Sequence, residues 1–181
     1  EARDLFTIPA WLINMVAQNW LGDKTGQGFF KKIKSVDGKK EILTLDLATL
    51  EYKPRVKPKF ASLEAAKPVD ELTTRIKIFQ AAPDKAGEFF RQLHALLFSY
   101  ISHRIPEISD ELYRVDDALK AGFGWEIGAF ETWDLLGVNE MTVAIEKAGS
   151  SIAPWVHDML KKGHTHFYKT ENGKRLCFDP I

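Results

Sequence analysis

A single cysteine, Cys177, stands in the whole sequence. That excludes an internal disulfide and any multi-cysteine metal site, and it fits a reducing compartment. Charge of one sign is also missing: Lys plus Arg and Asp plus Glu are 25 each, so no global field draws the chain to nucleic acid or to an anionic membrane. No apolar run approaches the roughly 20 residues that span a bilayer, and the amino terminus lacks the basic-then-apolar pattern of a signal peptide. A cytoplasmic protein without a membrane span is expected.

Several chemical signatures are absent as well. The glycines from Gly22 to Gly28 superficially suggest a phosphate loop, but Lys24 has the wrong spacing and no strand precedes it. The run Gly122-Phe123-Gly124-Trp125 follows a helical pattern, and Glu126 stands where a dinucleotide fingerprint needs a small residue. His164 and His166 alternate along an extended segment without a carboxylate or cysteine at matching spacing, so a solvated strand edge is the expected reading. His94 and His103 share one helix and lack a third group. Ser99, Ser102 and His103 suggest a nucleophile, yet nothing in the sequence supplies the pocket that acid-base work needs.

What is present is a core and a repeat. The chain is 45% apolar and 12% aromatic over 181 residues, enough to bury a domain with something attached. From Ile8 it reads Ile-Pro-Ala-Trp-Leu-Ile-Asn-Met-Val, and from Ile152, 144 residues later, Ile-Ala-Pro-Trp-Val-His-Asp-Met-Leu. Each copy continues through a glycine-bearing loop to an aromatic pair, Phe29-Phe30 and Phe167-Tyr168. Each then reaches an Asx-Gly turn, Asp37-Gly38 and Asn172-Gly173, suited to a tight hairpin. The period is too long for a solenoid, so it reads as a duplicated domain tail, and the first tail has almost nothing before it. The pattern predicts a piece of a longer protein.

Thr7 can cap a first helix with Pro9 in its first turn and Ile8, Trp11, Leu12, Met15 and Val16 on one face. Strands are predicted over 28–33 and 41–46. Residues 53–68 hold Lys53-Pro54-Arg55-Val56-Lys57-Pro58-Lys59, whose prolines and charges predict a solvated linker, or a segment that approaches CoA phosphates. Beyond it, helices are predicted over 70–80, from about Asp84 to Pro106, from Ser109 or Asp110 to Lys120, and from Asn139 to Gly149. The stretch 122–134 is too rich in glycine and tryptophan for a plain surface loop. Trp11, Trp125, Trp133 and Trp155 are read as core or interface anchors.

Three stretches resemble the 3-hydroxyacyl-CoA dehydrogenase family, in its C-terminal helical domain. They are Gly22 to Phe30, with Phe30 where the family has tyrosine; Asp116-Asp117-Ala118 followed by Gly122 to Phe130 and Asp134 to Gly137, with Ala129 in place of proline; and Gly163 to Tyr168, whose inner glycines are replaced by Thr165 and His166. The likeness is nearest to the long bacterial form with two successive helical modules, often fused to an enoyl-CoA hydratase domain. It implies a mainly α fold of the 6-phosphogluconate dehydrogenase-like kind with two small β-hairpins. Residues 1–52 would end a first module, 53–68 a linker, and 69–181 a second module.

The resemblance further implies a parent enzyme of fatty-acid β-oxidation that transfers hydride from a (3S)-3-hydroxyacyl-CoA to NAD. The catalytic histidine, its glutamate and the NAD-binding turn would belong to a nucleotide-binding domain upstream of Glu1. No catalytic, cofactor-binding or metal residue is therefore expected in this chain. Trp125, Glu126, Phe130 and Trp133 are the candidates for a substrate wall or an interface. The implied partners are the acyl-CoA, the nucleotide-binding domain, a hydratase domain and a second subunit. A non-catalytic spacer that docks the dehydrogenase to the hydratase is the alternative.

Overall fold

A computed structural model describes residues 6–34 and 37–180. The outermost ends of the predicted modules, 1–5 and 181, lie outside them. The chain forms two compact units, Glu1–Pro58 and Lys59–Ile181. It is mainly α, with two small antiparallel sheets. Among the described residues no helix is long and apolar enough to cross a membrane.

The first unit is the tail pattern. Helix α1 (Ala10–Ala17) starts after Pro9 rather than at Thr7, and no side chain caps it. It buries Met15. A 3₁₀ turn at Asp23–Thr25 leads into β1 (Phe30–Lys34), β2 (Lys40–Leu45) and β3 (Tyr52–Pro54), which pair in chain order. The third strand corrects the predicted hairpin, and it occupies the start of the predicted linker. Asp46 explains it: its carboxylate accepts the Ala48 and Thr49 N–H groups and Leu50 takes a positive φ of 57°, so the chain turns back and pairs Leu45 with Tyr52. The remainder of that stretch also holds a helix, α2 (Ala61–Ala66), so the extended path narrows to residues 55–60.

The second unit adds α3 (Leu72–Ala81), α4 (Lys85–His103), α5 (Leu112–Phe123), α6 (Ala129–Leu136), α7 (Val138–Lys147) and α8 (Pro154–Lys161). Asp84 caps α4 by accepting the Gly87 N–H, and also accepts the Ser62 N–H and hydroxyl, tying α2 to α4. Strands β4 (Tyr168–Glu171) and β5 (Lys174–Cys177) form a two-residue hairpin in which Asn172 and Gly173 both take positive φ, as the expected turn requires. Helix α6, like α2, is an element that sequence periodicity did not assign. It has only eight residues, and its helical start depends on a side chain from another element.

The core lies where α4, α6, α7 and α8 meet the second aromatic pair. Trp133 is fully buried, stacked on Phe98 at 4.9 Å, with Phe167 edge-on at 5.2 Å. Offset and edge contacts of this kind add to the area each ring buries. The second tail is locked to this core through Trp155, whose indole N–H donates to the Ser102 carbonyl at 2.8 Å. Phe98→Ala should destabilise the second unit by about 3–5 kcal/mol. Urea unfolding followed by tryptophan emission measures it, with a red-shifted native spectrum expected as Trp133 loses its stacking partner.

Candidate functional site

A groove of about 420 Å³ runs along the second unit, lined by Leu72 and Ile76 of α3, Leu93 and His94 of α4, and Trp125 and Glu126 from the loop after α5. Gly124 ends α5 in the left-handed region at φ 67°, which turns the chain and sets Trp125 and Glu126 on the groove margin. Both are exposed, Trp125 by 41%. The walls are apolar and the polar groups few, which is the composition of a small-molecule or acyl-chain cleft.

His94 is the groove's titratable group beside Glu126. Burial holds its pKa below the usual histidine value, against the opposing effect of the Phe90 carbonyl that Nδ1 meets at 2.9 Å. With Nδ1–H donating to that carbonyl, the ring is neutral and Nε2 is an acceptor. The legible signal was its placement between Phe90 and Phe98, one turn to either side, whose rings lie 4.0 and 5.6 Å from its own.

The four predicted wall residues divide. Phe130 and Trp133 are fully buried in the core and line no surface. Phe130 instead begins a polar assembly. Helix α6 has Gly128 at its N-cap, a residue with no side chain to accept the first amides. Asp116 of α5 does so: its carboxylate accepts Phe130 N–H at 2.8 Å and Glu131 N–H at 3.1 Å, and the Tyr168 hydroxyl at 2.8 Å. Glu131 reaches back to the Gly128 N–H at 2.6 Å and pairs with Lys120 and Arg175 at 3.2 and 2.7 Å. Asp134, one turn on, accepts the Phe167 and Tyr168 N–H groups at 2.7 and 2.9 Å. A Cβ at position 128 would collide with the Asp116 side chain, so only glycine fits there.

Burial pushes the Asp116 and Asp134 carboxyls above the usual aspartate value, against the hydrogen bonds that favour ionisation. Burial also acts upward on Glu131, but the Gly128 N–H, Arg175 and Lys120 outweigh it and hold that carboxyl down. Tyr168 is pushed up by burial and by Asp116. These groups are occupied in holding α5, α6 and β4 together.

Other predicted features resolve as structure. In the first glycine loop Gly22 N–H donates to Gln27 O, Thr25 N–H to Gly22 O, Gly26 N–H to Asp23 O and Gly28 N–H to Phe30 O. Those amides face inward, and a Cβ on Gly28 would lie 2.7 Å from the Gly22 nitrogen. This geometry does not fit a nucleotide phosphate, and neither does Gly122 to Gly128, which leaves a helix rather than a strand. Ser102 is buried, donates to Ser99 O and accepts the Ala153 N–H, while Ser99 donates to Ser151 O. His103 Nδ1 lies 2.9 Å from the Ser99 carbonyl and donates to it, so this nitrogen does not take a proton from the neighbouring Ser102 hydroxyl. His164 and His166 precede β4 instead of alternating along it: one ring packs on Phe178 at 5.3 Å and the other meets the Thr165 hydroxyl. Among the described residues no group of three or more His, Cys, Asp or Glu is placed to hold a metal ion.

Comparison with known proteins fits this arrangement. The chain is 36% identical over 179 residues, 99% of its length, to a Bacillus subtilis (strain 168) protein named as a 3-hydroxyacyl-CoA dehydrogenase. It matches a segment of a longer 3-hydroxyacyl-CoA dehydrogenase. Proteins named fatty acid oxidation complex trifunctional enzyme, from Rickettsia prowazekii (strain Madrid E) and Rickettsia felis (strain ATCC VR-1525 / URRWXCal2), are each 26% identical over 74% and 66% of the chain. The chain spans 22%, 17% and 15% of the lengths of these three relatives. No family model matches, and no solved structure matches.

The Asp116-to-Gly128 passage works as a joint between α5, α6 and β4. Asp116→Asn should destabilise the unit by about 2 kcal/mol, because an amide cannot accept both N–H groups and the phenol. The pH dependence has a definite sign. A carboxyl whose folded pKa is raised keeps its proton longer than in the unfolded chain, so its stabilising share is full below about pH 4 and declines as pH rises through the folded value. The advantage of the native protein over Asp116→Asn should accordingly be larger at pH 4 than at pH 7 in urea titrations; a difference that grows with pH contradicts the raised value.

Proposed function

We propose that the chain is a C-terminal portion of an NAD-dependent (3S)-3-hydroxyacyl-CoA dehydrogenase of cytoplasmic fatty-acid β-oxidation. Residues 1–52 end one helical module and residues from about 59 onward form a second. The observation that carries the reading is the match to the Bacillus subtilis dehydrogenase across 99% of this chain. The parent reaction moves a hydride from the substrate's C3 to NAD while a base takes the hydroxyl proton, and both the base and the cofactor site belong to another domain of the parent.

This chain's share is positioning. The groove between α3, α4 and the Trp125 loop offers an apolar wall to an acyl group, with Trp125 as the aromatic margin and the neutral His94 Nε2 as an acceptor. Glu126 stands at the exposed end, where a carboxylate meets solvent. Phe130 and Trp133 support that wall from the core without touching substrate. The nucleotide-binding domain, an enoyl-CoA hydratase domain and a second subunit are the partners this reading carries.

One observation favours the spacer instead. Phe167 of the second aromatic pair is sealed into the core with Tyr168 half-buried beside it, and their loop has exchanged inner glycines for Thr165 and His166, as in a module whose ending serves packing alone. Calorimetry of the purified chain with acetoacetyl-CoA separates the readings. The wall predicts saturable heat, weakened about tenfold by Trp125→Ala, whereas the spacer predicts none. In either case 3-hydroxybutyryl-CoA with NAD should give no NADH; NADH production by this chain alone overturns the positioning role.

A further inference from the structure

The two tails share their internal contacts and differ in what lies over them. Trp11 packs on Phe29 at 5.9 Å and Trp155 on Phe167 at 5.8 Å. Arg55 lies over the Phe30 ring at 5.4 Å, as Arg175 lies over Tyr168 at 3.8 Å. In the second tail α6 covers the pair: Phe130 and Trp133 contact Phe167 at 5.1 and 5.2 Å, Asp134 accepts both amides, and Glu131 pairs with Arg175. Phe167 is 1% exposed. In the first tail Phe29 and Phe30 are 47% and 52% exposed, with Ile13 and Val16 of α1 exposed as well. Lys31, Lys32 and Lys34 follow the pair along β1, and among the described residues no carboxylate is paired with Arg55.

We infer that the Phe29–Phe30 face is a docking surface for a helix of the α6 type, presenting the pattern Phe-Glu-x-Trp-Asp and belonging to a first copy of the body that residues 112–147 form here. The pattern is dictated by the contacts in the second tail. Two large side chains three residues apart fill the space over Trp11 and Phe29. The terminal carboxylate accepts the Phe29 and Phe30 N–H groups, and the earlier one pairs with Arg55. An acidic helix also complements the lysines of β1. An apolar face with an Arg beside it is a surface that proteins cover. The inference rests on residues 1–52 being a module tail and is independent of dehydrogenase activity.

The probe is a stapled peptide of residues 125–138 of this chain, shown to be helical by circular dichroism and added to the ¹⁵N-labelled full chain. Saturable shifts of the Phe29 and Phe30 amides and the Trp11 indole are expected. A D134N peptide, and an Arg55→Ala chain, should each bind about tenfold more weakly. A helical peptide that leaves these resonances unmoved overturns the inference. So does equal binding by D134N, or concentration-dependent shifts of Phe29 without peptide, which would assign the face to a second copy. A Trp11–Phe29 nuclear Overhauser contact in the chain alone tests the module-tail reading separately: its absence removes that reading, while its presence with no peptide binding removes only the docking surface.

Discussion

The second unit depends on one buried carboxylate. Asp116 leaves α5 to cap a helix whose own N-cap is glycine, and in the same position it accepts the hydroxyl of Tyr168 from the terminal hairpin. Three elements distant in sequence therefore meet at one group. Placing a carboxylate there carries a desolvation cost, seen in its raised pKa, and the two amides and the phenol offset that cost. Gly128 is required because the carboxylate approaches so closely. Glu131 and Asp134, on successive turns of α6, extend the joint to Gly128 and Arg175 and to the β4 amides.

This joint changes what the motif residues signify. The passages by which the chain resembles 3-hydroxyacyl-CoA dehydrogenases are mostly residues that hold a module together: glycines whose amides close a loop, an aspartate that caps, an aromatic pair that anchors a hairpin. A signature of that kind marks architecture. The groove beside His94 and Trp125 is lined by residues that take no part in the joint's hydrogen bonds. The groove margin and the joint fall on different residues of the same loop: Trp125 and Glu126 are exposed, and from Gly128 onward the chain turns into the core.

Much of this was legible in sequence, for identifiable reasons. The helices α3, α4, α5 and α7 follow from apolar periodicity, and the second hairpin from Asn172-Gly173, because both signals are local. Helix α6 was not legible: its cap is supplied by Asp116, twelve residues before the glycine it replaces, and no local pattern announces that. The same cause hides the placement of Phe130, which only α6 turns into the core beside Trp133, itself read from sequence as a core or interface anchor. The short strand β3 escaped because prolines and lysines around it suggested a solvated path, whereas Asp46 builds the turn that returns it to β2. For His94 the local signal is the pair of phenylalanines one turn to either side, which places the ring in a half-buried aromatic setting without naming a ligand.

Whether Asp116 and Asp134 bind α6 and the terminal hairpin into one cooperative unit can be read from native-state hydrogen exchange. The Phe130, Glu131, Phe167 and Tyr168 amides should exchange only through global unfolding of the second unit, with one common free energy. Exchange of the Phe167 and Tyr168 amides through a separate low-energy opening, with the Phe130 amide still protected, would contradict it.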